Sequence, residues 1–539
     1  MKKKIGSSLL ILILAISGLT ACGSNGTLVN QQTQAANENV ETIVASDIID
    51  PNNQFSERDL ESGYDENSSI KIQLNGKSSE TNSEAVKIQG GTITIQDEGT
   101  YVFSGSLDDG QIIVEAEKTD KVQLVLLNAN IKSETAAPIY VKQADKVFIT
   151  LAADSQNTLI NGGEFIQSDD NTVDGVIYSQ DDLTLNGKGT LSIESPIGHG
   201  IVSKDDLVIG SGNYNIQAKK DAINGKDSVR IAQGTFKLVA ETDGIQSKNN
   251  DDASKGYIYI ADGIFDIQSG TDGLDAGYGI LITDGKFKIT AEDDGIHSDG
   301  QLKISDGEID INKSYEGLEG QNIIIDQGQI TLFATDDGIN ATSGTENSGQ
   351  NEFAADENVW IQINGGTIKV NSEGDGIDSN GNLYVTGGEI YVSGPTNNGN
   401  GALDYNGKAT ITGGMVIATG ASGMAQNFGE ESTQGTILYN IDSMTYEMIK
   451  LVDNDGNVLI EYAPDKEYNS VVISLPSIKE EARYQLLIGT ASYKIQMTQL
   501  VYGESRGMGG GQPPMNDRST HPSDDKMRPE PPQNSNISN

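Results

Sequence analysis

The chain is 539 residues long and carries 78 acidic against 36 basic side chains, a formal net charge of −42. Phosphate backbones are bound by stripes of Lys and Arg, so this balance argues against nucleic acid as a partner and for cations as counterions. A single cysteine excludes an internal disulfide framework.

In chain order, Met1-Lys2-Lys3-Lys4 is a basic start and Leu9 to Leu19 an apolar run. Leu19-Thr20-Ala21-Cys22 has the form of a bacterial lipobox, with the only cysteine at the lipidation position. Residues 1–21 are expected to be a lipoprotein signal peptide, too short to span a membrane. Cleavage would leave Cys22 lipidated and the protein held at the extracellular face of the cytoplasmic membrane. Residues 22–68 are rich in Asn, Gln, Ser, Thr and acids and read as a disordered spacer.

Strand-like alternation begins at Ile70 and continues through Val86-Lys87-Ile88, Thr92-Ile93-Thr94-Ile95 and Val122-Gln123-Leu124-Val125-Leu126. The stretch to about residue 163 reads as a cap and first coils, because the end of a repeating stack must be covered. Between 174 and 407 a phrase recurs: Asp243-Gly244-Ile245, Asp272-Gly273-Leu274, Asp294-Gly295-Ile296, Glu316-Gly317-Leu318, Asp337-Gly338-Ile339 and Asp375-Gly376-Ile377. Looser copies start at Asp174, His199, Asp221 and Gly401, and much of the series keeps a period of about 22 residues. After each phrase come two alternating apolar pairs around a glycine, as in Ile280/Ile282, Gly285 and Phe287/Ile289. That is strand, turn, strand, and no segment keeps a helical period.

The expectation is an all-β parallel β-helix over 69–429, with equivalent strands about 4.8 Å apart. Phe236, Phe265 and Phe287 would stack inside it. Two insertions, at about 248–255 and 342–357, leave from one corner. Residues 430–502 carry short strands and read as a small C-terminal antiparallel β unit; the Gly-, Met- and Pro-rich tail, 503–539, is expected to be disordered.

Stacking the phrase makes a column of acids: Asp221, Asp243, Asp272, Asp294, Glu316, Asp337 and Asp375. A second column, expected to point outward, holds Asn224, Gln246, Asp275, His297, Glu319, Asn340, Asp378 and Asp404, and Asp293 and Asp336 add further acids. Carboxylates at that spacing repel by about 1 kcal/mol in water and by several at lower dielectric, which is large beside a marginal folding free energy. Hard oxygen ligands at this density suit Ca²⁺. The candidate ligands are Asp243, Asp272, Asp275, Asp293, Asp294, Glu316, Glu319, Asp336, Asp337, Asp375 and Asp378. The competing reading is that each acid bonds its own turn, which is expected for the separate column Asp262, Asp284 and Asp306.

Catalysis has weaker support. Asn171-Thr172-Val173-Asp174-Gly175 and Gly198-His199-Gly200 echo two polygalacturonase motifs, but the first is interrupted and no Arg-Ile-Lys follows. Paired acids such as Asp293/Asp294 or Asp336/Asp337 could serve a hydrolase, though pairs arise easily in so acidic a chain. A pectate lyase needs a strong base beside Ca²⁺, and the repeats offer only Arg230 and scattered lysines.

Asp294-Gly295-Ile296-His297-Ser298-Asp299-Gly300, Asp375-Gly376-Ile377-Asp378-Ser379-Asn380-Gly381 and Gly387-Gly388-Glu389-Ile390 carry a family resemblance. From about Ile70 to Tyr502 the chain resembles the bacterial carbohydrate-binding family of secreted right-handed parallel β-helix proteins, related to pectate lyases in fold. The resemblance implies binding of cellulose and pectic polysaccharide with bound calcium. The expected function is non-catalytic polysaccharide binding, with a pectate-active enzyme and an adhesin stalk as alternatives. Tyr259, Tyr384 and Tyr391 at outward positions, with Trp360 and Tyr315, are candidate sugar platforms.

Overall fold

A computed structural model describes residues 49–343 and 354–506. The expected signal peptide, Cys22, the first part of the spacer, the middle of the second insertion and the tail beyond 506 lie outside the described residues. Within them the protein is all-β: a 41-stranded, mostly parallel sheet, a separate four-stranded sheet, and one four-residue helix, Glu57–Leu60.

Each repeat supplies three short strands, and each strand pairs with its equivalent in the next repeat. Ile223–Gly225, Ser228–Ile231 and Thr235–Ala240 are followed by Ile245–Ser247, Tyr257–Ile260 and Ile264–Ser269. Ile223 faces Ile245, Val229 faces Ile258 and Phe236 faces Phe265, all in parallel register. Where no insertion intervenes the partners are 22 residues apart, as for Phe265 with Phe287 and Leu274 with Ile296. The insertions stretch the separation to 29 residues (Phe236 to Phe265) and 38 (Ile330 to Ile368) with the register kept. Extra residues leaving between strands do not slip the pairing, and a one-residue slip would turn the buried row outward.

The alternating apolar residues form one core. Tyr214, Phe236, Phe265 and Phe287 stack with centroids 5.2, 4.7 and 4.5 Å apart, and Ile309, Ile330, Ile368 and Ile390 extend the same row. At the far end Met415–Gly420 pairs antiparallel with Tyr468–Ser474, which breaks the parallel order and covers an open edge. Tyr468–Ser474 and Thr436–Thr445 therefore belong to the large sheet. Only Ile449–Asp453, Val458–Tyr462, Arg483–Ile488 and Ala491–Gln496 form the separate one.

The spacer expectation fails over residues 49–68. Ile49 is buried beside Tyr259 and Leu281, the Arg58 guanidinium lies 4.7 Å from the Phe148 ring centre, and buried Asp59 bonds Thr184 Oγ1 at 2.6 Å and Lys146 Nζ at 2.8 Å. Asn186, Arg230 and Gln123 donate to backbone carbonyls of Asp59, Gln54 and Gly63. A polar composition gave no sign of this, because much of what holds the segment is hydrogen bonding by polar side chains of strands remote in sequence.

Candidate functional site

The glycine of the repeated phrase allows the repeats to close up. A Cβ on Gly273, Gly295 or Gly317 would lie 2.4, 2.6 or 2.3 Å from the carbonyl oxygen of the equivalent glycine one repeat on. The acid before it then stacks on the next acid. Asp272 N–H donates to Asp243 Oδ1 at 3.1 Å, Asp294 N–H to Asp272 Oδ1 at 2.9 Å, Glu316 N–H to Asp294 Oδ1 at 3.1 Å and Asp375 N–H to Asp337 Oδ1 at 2.6 Å. One oxygen of each of these carboxylates thus satisfies a backbone donor that burial would otherwise orphan. Asp262, Asp284 and Asp306 each accept from the following glycine N–H at 2.7–2.9 Å, the turn role expected of them.

The second oxygens turn toward the other column. Asn224, Gln246, Asp275, His297, Glu319, Asn340, Asp378 and Asp404 stand in unbroken register. They do not simply point outward, as alternation alone predicts. Asp275 is 2% exposed and Asn340 8%, while Asp378 keeps a solvent edge but is otherwise enclosed. The amides and the leading acids bond one another across the two columns, as Asn224 Nδ2 does with Asp221 Oδ2 at 2.7 Å.

Burial first, then neighbouring carboxylates, pushes Asp272 and Asp294 up to about 8, so raised acids run along the whole column and what changes along it is the supply of cationic side chains. In the first half, cations are built in. His199 stands 3.1 Å from Asp221 and 3.5 Å from Asp174, and Lys220 is 2.6 Å from Asp174. Lys248, from the first insertion, lies 2.8 Å from Asp275, and His297 bridges Asp275 at 3.0 Å and Glu319 at 3.5 Å. Burial disfavours the His297 imidazolium, but the carboxylates around it outweigh that and lift its pKa to about 10. Burial likewise works against ionised Asp275, yet His297 and Lys248 hold its carboxyl below the usual range.

In the second half no Lys, Arg or His pairs with Glu316, Asp337, Asp375 or Asp378 among the described residues. Burial first, then mutual repulsion, pushes Glu316 and Asp375 up to about 8 and Asp337 to about 7, and drives Asp378 well above the carboxylate range. Oxygens of Asp337, Asp375 and Asp378 lie within 4.8 Å of one another. Beside them Asn340 gives its Nδ2 to Glu316 Oε2 at 2.9 Å, leaving its buried Oδ1 without a partner. This donor set is all oxygen, as a hard divalent cation requires.

Of the expected ligands, Asp272 and Asp275 gather around His297, as do Asp294 and Glu319, and Asp293 joins Asp272 and Asp294. Asp243 lies in the same column, its pKa raised to about 7 by burial, then by Asp275 and Asp221. Asp336 turns instead to the Tyr315 hydroxyl. Sequence reasoning missed Lys248 and the ring of carboxylates, Asp272, Asp275, Asp299 and Glu319, that closes around His297. It had placed His297 and Asn340 in the right column without giving either a role. Among the sugar platforms, Tyr259 lies under Phe55 with ring centres 5.7 Å apart, and Trp360 is buried. Tyr315 is exposed, Tyr384 half-buried, and Tyr391 stacks on Tyr462 at 5.8 Å.

A long, mostly parallel stack of short strands with two in-register polar columns along it defines a class of repetitive all-β proteins rather than a single activity. The family model described as carbohydrate-binding domain-containing protein matches residues 89–294 and 290–441, more than half of the chain. The chain belongs to that carbohydrate-binding domain family. A carbohydrate-binding domain-containing protein of Acetivibrio thermocellus is 37% identical over 146 residues, 27% of this chain and 51% of the relative. The chain thus spans about half the length of that curated relative. A solved structure, a gadolinium derivative of the polysaccharide lyase-like protein from C. thermocellum, is 32% identical, covers 44% of this chain and 96% of that chain, and superposes with a TM-score of 0.43.

Proposed function

We propose that the protein binds polysaccharide at the cell surface without cleaving it. In this reading the chain is a right-handed parallel β-helix of about 22 residues per coil, held outside the cytoplasmic membrane by a lipid on Cys22, with Ca²⁺ in its acidic columns. Membership of the carbohydrate-binding domain family supports the ligand class. The calcium rests on one observation: Asp337, Asp375 and Asp378 are crowded together with no cationic side chain to offset them, beside the unpartnered amide oxygen of Asn340, whose Nδ2 is bonded to Glu316. These residues, with Asn340, would hold the ion, which supplies the positive charge that His297 and Lys248 supply higher in the stack.

Non-catalytic binding is favoured over a polygalacturonase-like reaction because the residues of the two polygalacturonase-like phrases are locked in ion pairs with one another and with neighbouring side chains. His199 is clamped between two carboxylates, and Asp174 and Asp221 are both held in the ionised form. Neither is the raised acid that glycoside hydrolysis needs. Incubation with polygalacturonate and with cellulose tests this reading: sedimentation with polymer and no new reducing ends or unsaturated products is expected. Product release would establish the enzyme, and failure to bind either polymer would favour the stalk.

A further inference from the structure

Away from the acidic columns, the third strand of each repeat presents its outward side chains in register: Asp310 beside Thr331, Thr331 beside Lys369, Lys369 beside Tyr391. These form the floor of a cleft of about 640 Å³. Its wall is Tyr462, Ala463 and Asp465, at the end of one strand of the separate four-stranded sheet. The wall is pinned in place: Tyr462 Oη lies 3.2 Å from Ser393 Oγ, Lys466 Nζ donates to the Ser372 carbonyl, and the Tyr391 and Tyr462 rings stack. A cleft held open in advance loses little ordering free energy on binding.

We propose that this cleft is the glycan-binding site and that it takes a chain without acidic groups. The inference rests on the polysaccharide-binding reading above and gives it a location. Tyrosine faces offer flat apolar surface to the C–H face of a pyranose ring. Around them stand hydroxyls of Thr331 and Thr367, the ammonium of Lys369, which pairs with no carboxylate among the described residues, and the buried, unpartnered Oδ1 of Asn371. The Thr331 and Thr367 hydroxyls can both donate to and accept from sugar hydroxyls, and the Lys369 ammonium can donate to them. Asp310, Glu389 and Asp465 line the same cleft against the single Lys369, so a polyuronate would meet net negative charge. Four adjacent strands at about 4.8 Å give a floor about 14 Å long, room for a few sugar rings. Metal and glycan then occupy different strands of the repeat.

Gel retardation of the full chain by hydroxyethylcellulose and, separately, by polygalacturonate tests the assignment. Wild type should be retarded by the uncharged polymer. Thr331→Arg, which fills the floor from an exposed strand position, should weaken that retardation about tenfold with a melting temperature close to wild type, and Tyr391→Ala should weaken it as much while melting lower for loss of its stacking on Tyr462. Unchanged retardation in both variants would overturn the cleft and leave the polysaccharide reading standing. Retardation of wild type by polygalacturonate alone would overturn the uncharged occupant, and retardation by neither polymer would overturn both readings.

Discussion

Asp378 and His297 occupy equivalent positions three repeats apart, yet one is a carboxyl crowded by carboxyls and the other an imidazole surrounded by them. Replacing each gives opposite results. His297→Gln removes a buried cation and leaves Asp275 and Glu319 facing each other, so urea denaturation should show a loss of about 3 kcal/mol. Asp378→Asn removes repulsion while keeping shape, so the metal-free protein should melt at a higher temperature than wild type. The same variant should gain less from added calcium. Gly295→Ala should destabilise strongly, because the new Cβ meets the Gly317 carbonyl oxygen at 2.6 Å and backbone cannot yield as a side chain can. The columns themselves were legible in the sequence, since a regular period places equivalent residues side by side. Which carboxylate oxygen is spent on a backbone donor was not, nor was the reach of Lys248, because both depend on how the turn closes in space.

At the scale of the elements, the stacked strands concentrate both apolar and ionisable rows. Phe265→Ala would open a gap between Phe236 and Phe287 and should cost about 3–5 kcal/mol. The acidic row makes metal-free stability depend on pH. Folded-state pKa values of about 7–8 for Glu316, Asp337 and Asp375 lie above the ordinary values of 4.5 and 3.8. These groups bind protons more tightly in the folded state, so their contribution to stability is fully present below about pH 4 and is lost as pH rises toward about 8. Asp275, whose carboxyl is held low by His297 and Lys248, contributes the reverse, a loss as pH falls through the acid range. In the presence of a chelator the melting temperature should therefore drop between pH 5 and pH 8, and saturating calcium should flatten that slope.

For the molecule as a whole, the parallel pairing of equivalent strands follows from the period, and the aromatic stack follows from the pattern Phe236, Phe265, Phe287. Two large-scale features do not follow from any local signal. The closing strand Tyr468–Ser474 and the docked segment at 49–68 meet partners remote in sequence, as Gln54 meets Tyr257, 203 residues on, and Phe55 meets Tyr259. The docked segment bonds strands belonging to several repeats, so deleting residues 49–61 should lower the unfolding midpoint in urea while leaving glycan retention unchanged.

Isothermal titration of calcium into chelator-stripped protein at pH 8, wild type beside Asp378→Asn, bears most directly on whether the uncompensated half of the columns holds a cation. Wild type should bind calcium with release of protons from the raised carboxyls, and the variant should bind at least tenfold more weakly. Equal heats from the two proteins, or none from wild type, would contradict the role given to Glu316, Asp337, Asp375 and Asp378.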